Sequence, residues 1–334
     1  MTARLHVLLG QGGVGKTTLS ASYALALAAG GRRVGLLGVD PSGRLRTALG
    51  LADLPERPVQ VCDGLQAALL RPDQSLRRWA MEELGPEGEE LLGNPFFVAL
   101  ADRLGTAIDA LAALRIAEWP EKDPHLEHLV VDTAPGLHGL EFLVRPERLV
   151  AFLSGSLLGW LSRALAPGPA GRRVLRGLSR IAGLTVLDRL AEFSLRVRQM
   201  APRMISRLDA ARWWLRSPLT ELLLVCVPRP DAARGVTMLA QELKQLRFTP
   251  KAVVLNRALP GDVLDGAPDR DDPVARYAGS LLRIQREVAD ALRPDFPVAP
   301  VPLSAGLDEA GDARLDTLRT LGVALIGELA KLGG

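Results

Sequence analysis

The chain of 334 residues contains only two cysteines, Cys62 and Cys226, which lie far apart and form no C-x-x-C pair. Neither a disulfide framework nor a thiolate zinc site is expected from them. The first apolar run begins almost at the first residue, which leaves no room for a signal peptide, so a reducing, cytoplasmic setting is expected. There is no internal repeat and no low-complexity tract. The nearest approach to a membrane-spanning run, Leu149 to Leu165, is interrupted by Ser154, Gly155, Ser156, Gly159, Ser162 and Arg163, which argue against a span. Aromatic residues make up 4% of the chain, and Trp79 and Trp119 read as packing rather than stacking platforms.

With 48% hydrophobic and 24% charged residues, the composition is that of a globular protein with ample length for a large core. It fits one large α/β domain carrying an insertion. The net charge of +3 is unevenly spread: between Leu149 and Ser217 there are twelve arginines and three acids, so a basic segment sits inside an acidic body. The organisation expected is one α/β domain in two parts, 1–148 and 218–334, around a basic amphipathic helical insertion at 149–217.

The rest of the chain is arranged around Gly10-Gln11-Gly12-Gly13-Val14-Gly15-Lys16-Thr17-Thr18. The apolar run Leu5-His6-Val7-Leu8-Leu9 leads into it, and an alanine- and leucine-rich helical pattern from Leu19 to Ala29 follows. Strand, glycine loop and helix form the context of a phosphate-cradling loop. Glycines let successive N–H groups turn inward around an anion, and the helix N-terminus adds free donors. Lys16 is placed to reach the β- and γ-phosphates of ATP, and the Thr17 hydroxyl to ligate Mg²⁺.

Two further apolar runs end in an acid. Val34 to Val39 reads as a buried parallel strand ending in Asp40-Pro41-Ser42-Gly43-Arg44, and Leu129-Val130-Val131 ends in Asp132. Carboxylates at strand C-termini beside a phosphate loop sit where ligands bind in open α/β sheets. Asp40 there can orient the attacking water or contact Mg²⁺ through water, and Asp132 can hold the Mg²⁺ shell through water. The glycines after Asp132 suit a loop that moves with the γ-phosphate, and His138 within it is a candidate sensor. Residues 64–121 read as mostly helical. In the basic segment, apolar residues from Leu190 to Leu215 follow helical spacing, with Pro202 expected to kink or divide the run. Three readings of 149–217 stay open: packing on the body, a methionine-containing groove for a partner helix, and attachment to an anionic membrane surface. Beyond it, strands at Leu222–Val227, Ala252–Leu255 and Phe296–Val301 alternate with helices at Ala233–Leu246, Val274–Leu292 and Ala313–Leu332. Asn256, just past the second of these strands, can read the adenine edge.

Several separated segments match one family. Gly10–Thr18 resembles the loop G-K-G-G-V-G-K-T of the arsenite-pump and tail-anchored-protein targeting ATPases, within the class carrying a variant phosphate loop. Asp40-Pro41 is similar to that family's D-P-A-[HS], and Val131-Asp132-Thr133-Ala134-Pro135 followed by His138 and Leu140 to its V-D-T-A-P-T-G-H-T-L. Val254-Leu255-Asn256-Arg257 with Leu259-Pro260 resembles V-V-N-R-V-L-P, and Val301-Pro302-Leu303 the last adenine-side strand. The resemblance implies a doubly wound, mostly parallel P-loop NTPase sheet, Mg-ATP hydrolysis, and a homodimer with ATP or ADP at its interface. It also implies a hydrophobic client for the insertion. By position, Gln11, Gly12, Gly13, Val14, Gly15, Lys16, Thr17, Thr18, Asn256, Arg257 and Pro302 would bind nucleotide, Lys16 and Asp40 would be catalytic, and Thr17 and Asp132 would serve the metal.

The chain departs from the family in places. Gln11 replaces a loop lysine that in relatives resembles an arginine finger reaching across the dimer; such a group is worth on the order of 10³-fold in rate, so slow hydrolysis or activation by another group such as Arg44 is expected. The metalloid-binding cysteines and the dimer-clasping C-x-x-C are missing, so no metalloid site is expected. Asp40-Pro41 continues as Ser42-Gly43. The expected function is a Mg-ATP-dependent dimeric switch ATPase that binds a client or partner, with nucleic acid not expected. The alternatives are a nucleotide-binding scaffold with negligible turnover and a partition-type ATPase that holds DNA or membrane through its arginines.

Overall fold

A computed structural model of the chain describes residues 3–40, 42–95, 97–98, 107–136, 139, 184–263, 272–307 and 311–332. Its strands are β1 Arg4–Gly10, β2 Val34–Gly38, β3 Val59–Cys62, β4 Leu65–Leu69, β5 His128–Asp132, β6 Thr220–Cys226, β7 Ala252–Ala258 and β8 Val298–Pro302. Its helices are α1 Lys16–Ala29, α2 Arg44–Ala48, α3 Pro72–Leu84, α4 Glu87–Leu92, α5 Ala107–Lys122, α6 Leu184–Leu215, α7 Ala232–Gln245, α8 Pro273–Leu292 and α9 Asp312–Lys331. The chain divides into two compact units: Met1–Leu69 with Lys122–Leu140 and Arg216–Gly334, and Leu70–Glu121 with Glu141–Leu215.

The first unit is built on one eight-stranded sheet in the order β3-β4-β2-β5-β1-β6-β7-β8. Every neighbouring pair is parallel except the β3–β4 edge. The chain winds outward from β1 in both directions, which is the doubly wound arrangement expected. Its central strands are apolar on both faces because helices cover both. Leu5, Val7, Leu8 and Leu9 of β1 are all 0% exposed, each burial being worth about 2 kcal/mol. Helix α1 is buried along most of its length, and α9 packs against it so closely that a Cβ on Gly322 would stand 1.9 Å from the Ser22 carbonyl oxygen.

Residues 64–121 are mostly helical among those described, as expected, with one exception at their start in the hairpin β3–β4. Leu65–Leu69 is a strand, paired with β2 from Val34↔Leu65 to Gly38↔Leu69 and with β3 on its other side. Its leucines and alanines are helix formers by local preference, and pairing with a buried parallel strand overrides that preference.

The second unit is helical among its described residues. Ala80, Leu91, Phe193, Val197 and Met200 form its core cluster, with Leu190 and Met204 packed at the edge. Helix α6 runs unbroken past Pro202, so the proline does not divide the run. Arginines of α6 are tied to acids of the same unit. Arg196 bonds the Glu87 carbonyl, Glu90 and Glu192, and Arg207 lies 3.2 Å from Glu121 and 3.8 Å from Glu83. Among the described residues, Arg196, Arg203 and Arg207 thus find counter-charges on α3, α4 and α5, and Met200 packs within the core of this unit. Residues 149–183 of the expected insertion lie outside the described residues. Among the described residues no helix is long and apolar enough to cross a membrane.

Candidate active site

The C-terminal ends of β1, β2, β5 and β7 bring the singled-out residues to one edge of the sheet. Between β1 and α1 the chain turns through Gly13 at φ 77° and Gly15 at φ 88°, the left-handed region that side chains disfavour. A Cβ on Gly15 would also lie 2.4 Å from Asn256 Nδ2, so both backbone and space require glycine there. Gly15 occupies the N-cap of α1 and supplies no side-chain cap, and no acid stands in the first turn. The first-turn N–H groups are therefore left to an anion.

Lys16 is 6% exposed. Its Nζ donates to the carbonyls of Gly10 and Gln11, both at 2.9 Å, folding the ammonium back under the loop. Burial lowers its pKa from the ordinary 10.5; Arg44 adds to the lowering, while Asp132 and Asp40 oppose it. The Gly10 carbonyl also accepts the Gly136 N–H at 2.9 Å. One oxygen thus links the phosphate loop to the loop that follows Asp132.

Asp132 is 1% exposed, and burial pushes its carboxyl up to about 7, with the Asp40 charge adding; hydrogen bonding to Thr17 and the Lys16 charge pull the other way. Ser20 Oγ lies 3.4 Å from Asp132 Oδ1. A buried carboxylate held above its ordinary range, with Lys16 acting on it, is suited to a divalent ion. Among the described residues no group of three or more His, Cys, Asp or Glu side chains is placed to hold a metal, so phosphate oxygens and water would complete a Mg²⁺ shell begun by Thr17 and Asp132. Such a sparse protein contribution is what Mg²⁺ in nucleotide sites uses, and the donor set fits Mg-ATP.

Asp40 stands at the tip of β2. Its Oδ1 accepts the Ser42 N–H at 2.9 Å, and Arg44 approaches Oδ2 at 3.9 Å. Arg44 is 59% exposed and close enough to act electrostatically on Lys16. Asn256 is buried, and its Nδ2 donates to the Val14 carbonyl at 2.9 Å, so this amide braces the loop directly. Arg257 adopts φ 59° where the β7–β8 register shifts, and Pro302 pairs with Ala258; both are exposed at their strand ends. His138 lies outside the described residues.

Reasoning from the sequence did not find the position of the Gln11 side chain. A Cβ on Gly235 of α7 would stand 2.4 Å from Gln11 Nε2 and 3.0 Å from its Cδ. The glutamine amide therefore lies against α7 of its own chain, over a small cavity of about 40 Å³ lined by Gly12, Val225, Asp231 and Val236. The glycine in an otherwise regular helix was the available signal.

Comparison with known proteins agrees with this geometry. A family model described as anion-transporting ATPase matches residues 3–305. An uncharacterised protein of Streptomyces coelicolor is 31% identical over 328 residues, covering 96% of this chain and 76% of its own. ATPase GET3 of Phaeosphaeria nodorum is 26% identical over 316 residues, covering 90% of this chain and 89% of its own. The arsenical pump-driving ATPase of Acidiphilium multivorum is 29% identical over 153 residues, 44% of this chain and 26% of its own. With a variant phosphate loop, two acids at strand tips and a family match across most of its length, the chain belongs to the anion-transporting ATPase family and is an ATPase of that family.

Proposed function

We propose that this ATPase works as a Mg-ATP-dependent switch in the cytoplasm, dimerising around its nucleotides and coupling their state to a client or partner held by the helical unit. The observation that carries the reading is the shared Gly10 carbonyl, which accepts both Lys16 Nζ and the Gly136 N–H. Phosphates that draw Lys16 away leave Gly136 as the remaining partner of that oxygen, so the loop after Asp132 senses the occupied site. When bound, Mg²⁺ supplies charge neutralisation at the phosphates; Thr17 and Asp132 would hold its shell, and the first-turn N–H groups of α1 would receive the phosphates. Asp40, anchored through Ser42, positions the attacking water. The two free cysteines accord with a reducing compartment.

Gln11 lacks the charge of the lysine that relatives carry, and its amide lies against Gly235. Turnover is therefore slow, and Arg44 beside Asp40 is the cation placed to compensate. ATP turnover by the full chain, in wild type and in Asp40→Asn, Arg44→Gln and Gln11→Lys variants, tests this reading. Asp40→Asn abolishes turnover, Arg44→Gln lowers it about tenfold or more, and Gln11→Lys raises it. An unchanged rate in Asp40→Asn overturns the assignment of Asp40. A Gln11→Lys variant no faster than wild type overturns the account of slow turnover.

A further inference from the structure

At the opposite end of the sheet from the phosphate loop, the N-terminal ends of β1, β5, β6 and β7 open on a cavity of about 690 Å³. Its floor is a chain of three side chains. Glu221 Oε2 lies 3.1 Å from His6 Nδ1, and His6 Nε2 lies 2.9 Å from His128 Nδ1, with the rings 18° from parallel. Burial pushes the Glu221 carboxyl up, but hydrogen bonds from His6 and Lys251 and their charges outweigh it and hold the group at about 2. An ionised Glu221 can only accept, so His6 keeps a proton on Nδ1. His128 is pushed down to about 4, first by burial and then by His6, and is neutral. With Nδ1 engaged by His6, its Nε2 is the polar atom left for a ligand, and no described residue hydrogen-bonds it.

The mouth of the cavity has more donors than acceptors. Glu127 is bonded by Arg32 and by the Arg33 N–H, both at 2.9 Å. Glu221 is bonded by His6 and by Lys251 at 2.5 Å, with Arg4 at 3.6 Å. The two carboxylates are thus multiply satisfied, while Arg4, Arg32 and Lys251 retain N–H groups and one positive charge in excess. The lining also includes the apolar side chains Leu27, Leu126, Ile326 and Leu329. Nothing in the nucleotide site uses any of these groups.

We propose that this cavity binds a small monocarboxylic acid with an apolar body and a hydroxyl group. The carboxylate meets the excess donors of Arg4 and Lys251, the hydroxyl meets His128 Nε2, and the body lies on the apolar side chains of the lining. One negative charge matches the one positive charge in excess, and size is not limiting in a cavity of this volume. The proposal stands independently of the switch reading, since the two sites share no residue.

The chain has four histidines, so the imidazole NMR signals of the nucleotide-free protein read the site directly, with His128 assigned by its loss in His128→Gln. The probes are 3-phenyllactate, 3-phenylpropionate without the hydroxyl, 2-phenylethanol without the carboxylate, and glycerol 3-phosphate as a dianion. The expected result is a saturable shift of the His128 signal by 3-phenyllactate, half-complete below about 1 mM. The affinity is expected to fall about fivefold or more for 3-phenylpropionate and to be lost for 2-phenylethanol. Arg4→Gln and Lys251→Gln, both at exposed side chains that the fold tolerates, each weaken 3-phenyllactate about tenfold. No saturable shift, equal binding of 2-phenylethanol, or unchanged affinity in both variants overturns the site. Tighter binding of glycerol 3-phosphate than of 3-phenyllactate overturns the monocarboxylate assignment.

Discussion

Replacing Asp132 by asparagine is expected to stabilise the nucleotide-free protein while abolishing its response to Mg-ATP. The side chain is 1% exposed, and its carboxyl is raised from the ordinary 3.8 to about 7, chiefly by burial. Each tenfold change in a proton's affinity is worth about 1.4 kcal/mol, so the ionised carboxylate costs the folded state about 4 kcal/mol at alkaline pH relative to its protonated form. The folded value lies above the unfolded one. The benefit of the protonated group is therefore fully present below about 3.8 and is lost as pH rises through about 7. Asparagine avoids this cost but gives up part of the hydrogen bonding with Thr17 and Ser20 and leaves Lys16 without its nearest counter-charge, which offsets about 1–3 kcal/mol. The net expectation is a gain of about 1–3 kcal/mol at pH 8, about 3 kcal/mol larger than at pH 5. Urea denaturation of both proteins at the two pH values, without nucleotide, measures it. Repeating the pH 8 melts with Mg-ATP should stabilise the wild type and leave Asp132→Asn unmoved. An Asp132→Asn protein less stable than wild type at pH 8, or a difference that does not change with pH, would refute the reasoning.

Three other outcomes follow from the packing. Asn256→Ala leaves the buried Val14 carbonyl without its donor and should cost about 1–3 kcal/mol in denaturant melts even without nucleotide; an unchanged stability would mean that Asn256 serves the nucleotide alone. Gly235→Ala should raise stability by up to about 1 kcal/mol through helix propensity while expelling the flexible Gln11 amide, so a turnover assay should change where the melting curve hardly does. The His128 value, about 4, lies below the ordinary 6.5, so its contribution to stability is present above about 6.5 and lost as pH falls towards 4; His128→Gln should flatten the acid limb of a stability–pH curve over that window, and an identical acid limb would count against the neutral His128.

Much of the sheet was legible because parallel strands covered on both faces are nearly continuous apolar runs, and because each of β2 and β5 ends at its acid. The phosphate loop declared itself through its glycines and lysine. Tertiary pairing hid the rest. Leu65–Leu69 has the composition of a helix, and only its place between β2 and β3 makes it a strand. Pro202 reads locally as a break, yet α6 continues past it, with Phe193, Val197 and Met200 before the proline anchored in the core of the helical unit. His6 draws no reading of its own within the apolar run Leu5–Leu9, since its partners His128 and Glu221 are distant in sequence and meet it only because β5 and β6 flank β1. Three readings of the basic segment stay open in the sequence because acids that pair with Arg196 and Arg207 come from 70–121, distant along the chain. Gln11 marked a missing charge, while its resting place on Gly235 depended on the approach of α7.

The central claim is that nucleotide state switches the assembly of this ATPase, and light scattering on the purified chain tests it most directly. Asp40→Asn with Mg-ATP, expected to bind without hydrolysing, should have the mass of a dimer, and the same protein without nucleotide, or Lys16→Ala with Mg-ATP, should have a smaller one. A single mass in all three conditions, with ATP binding verified separately, would contradict the switch.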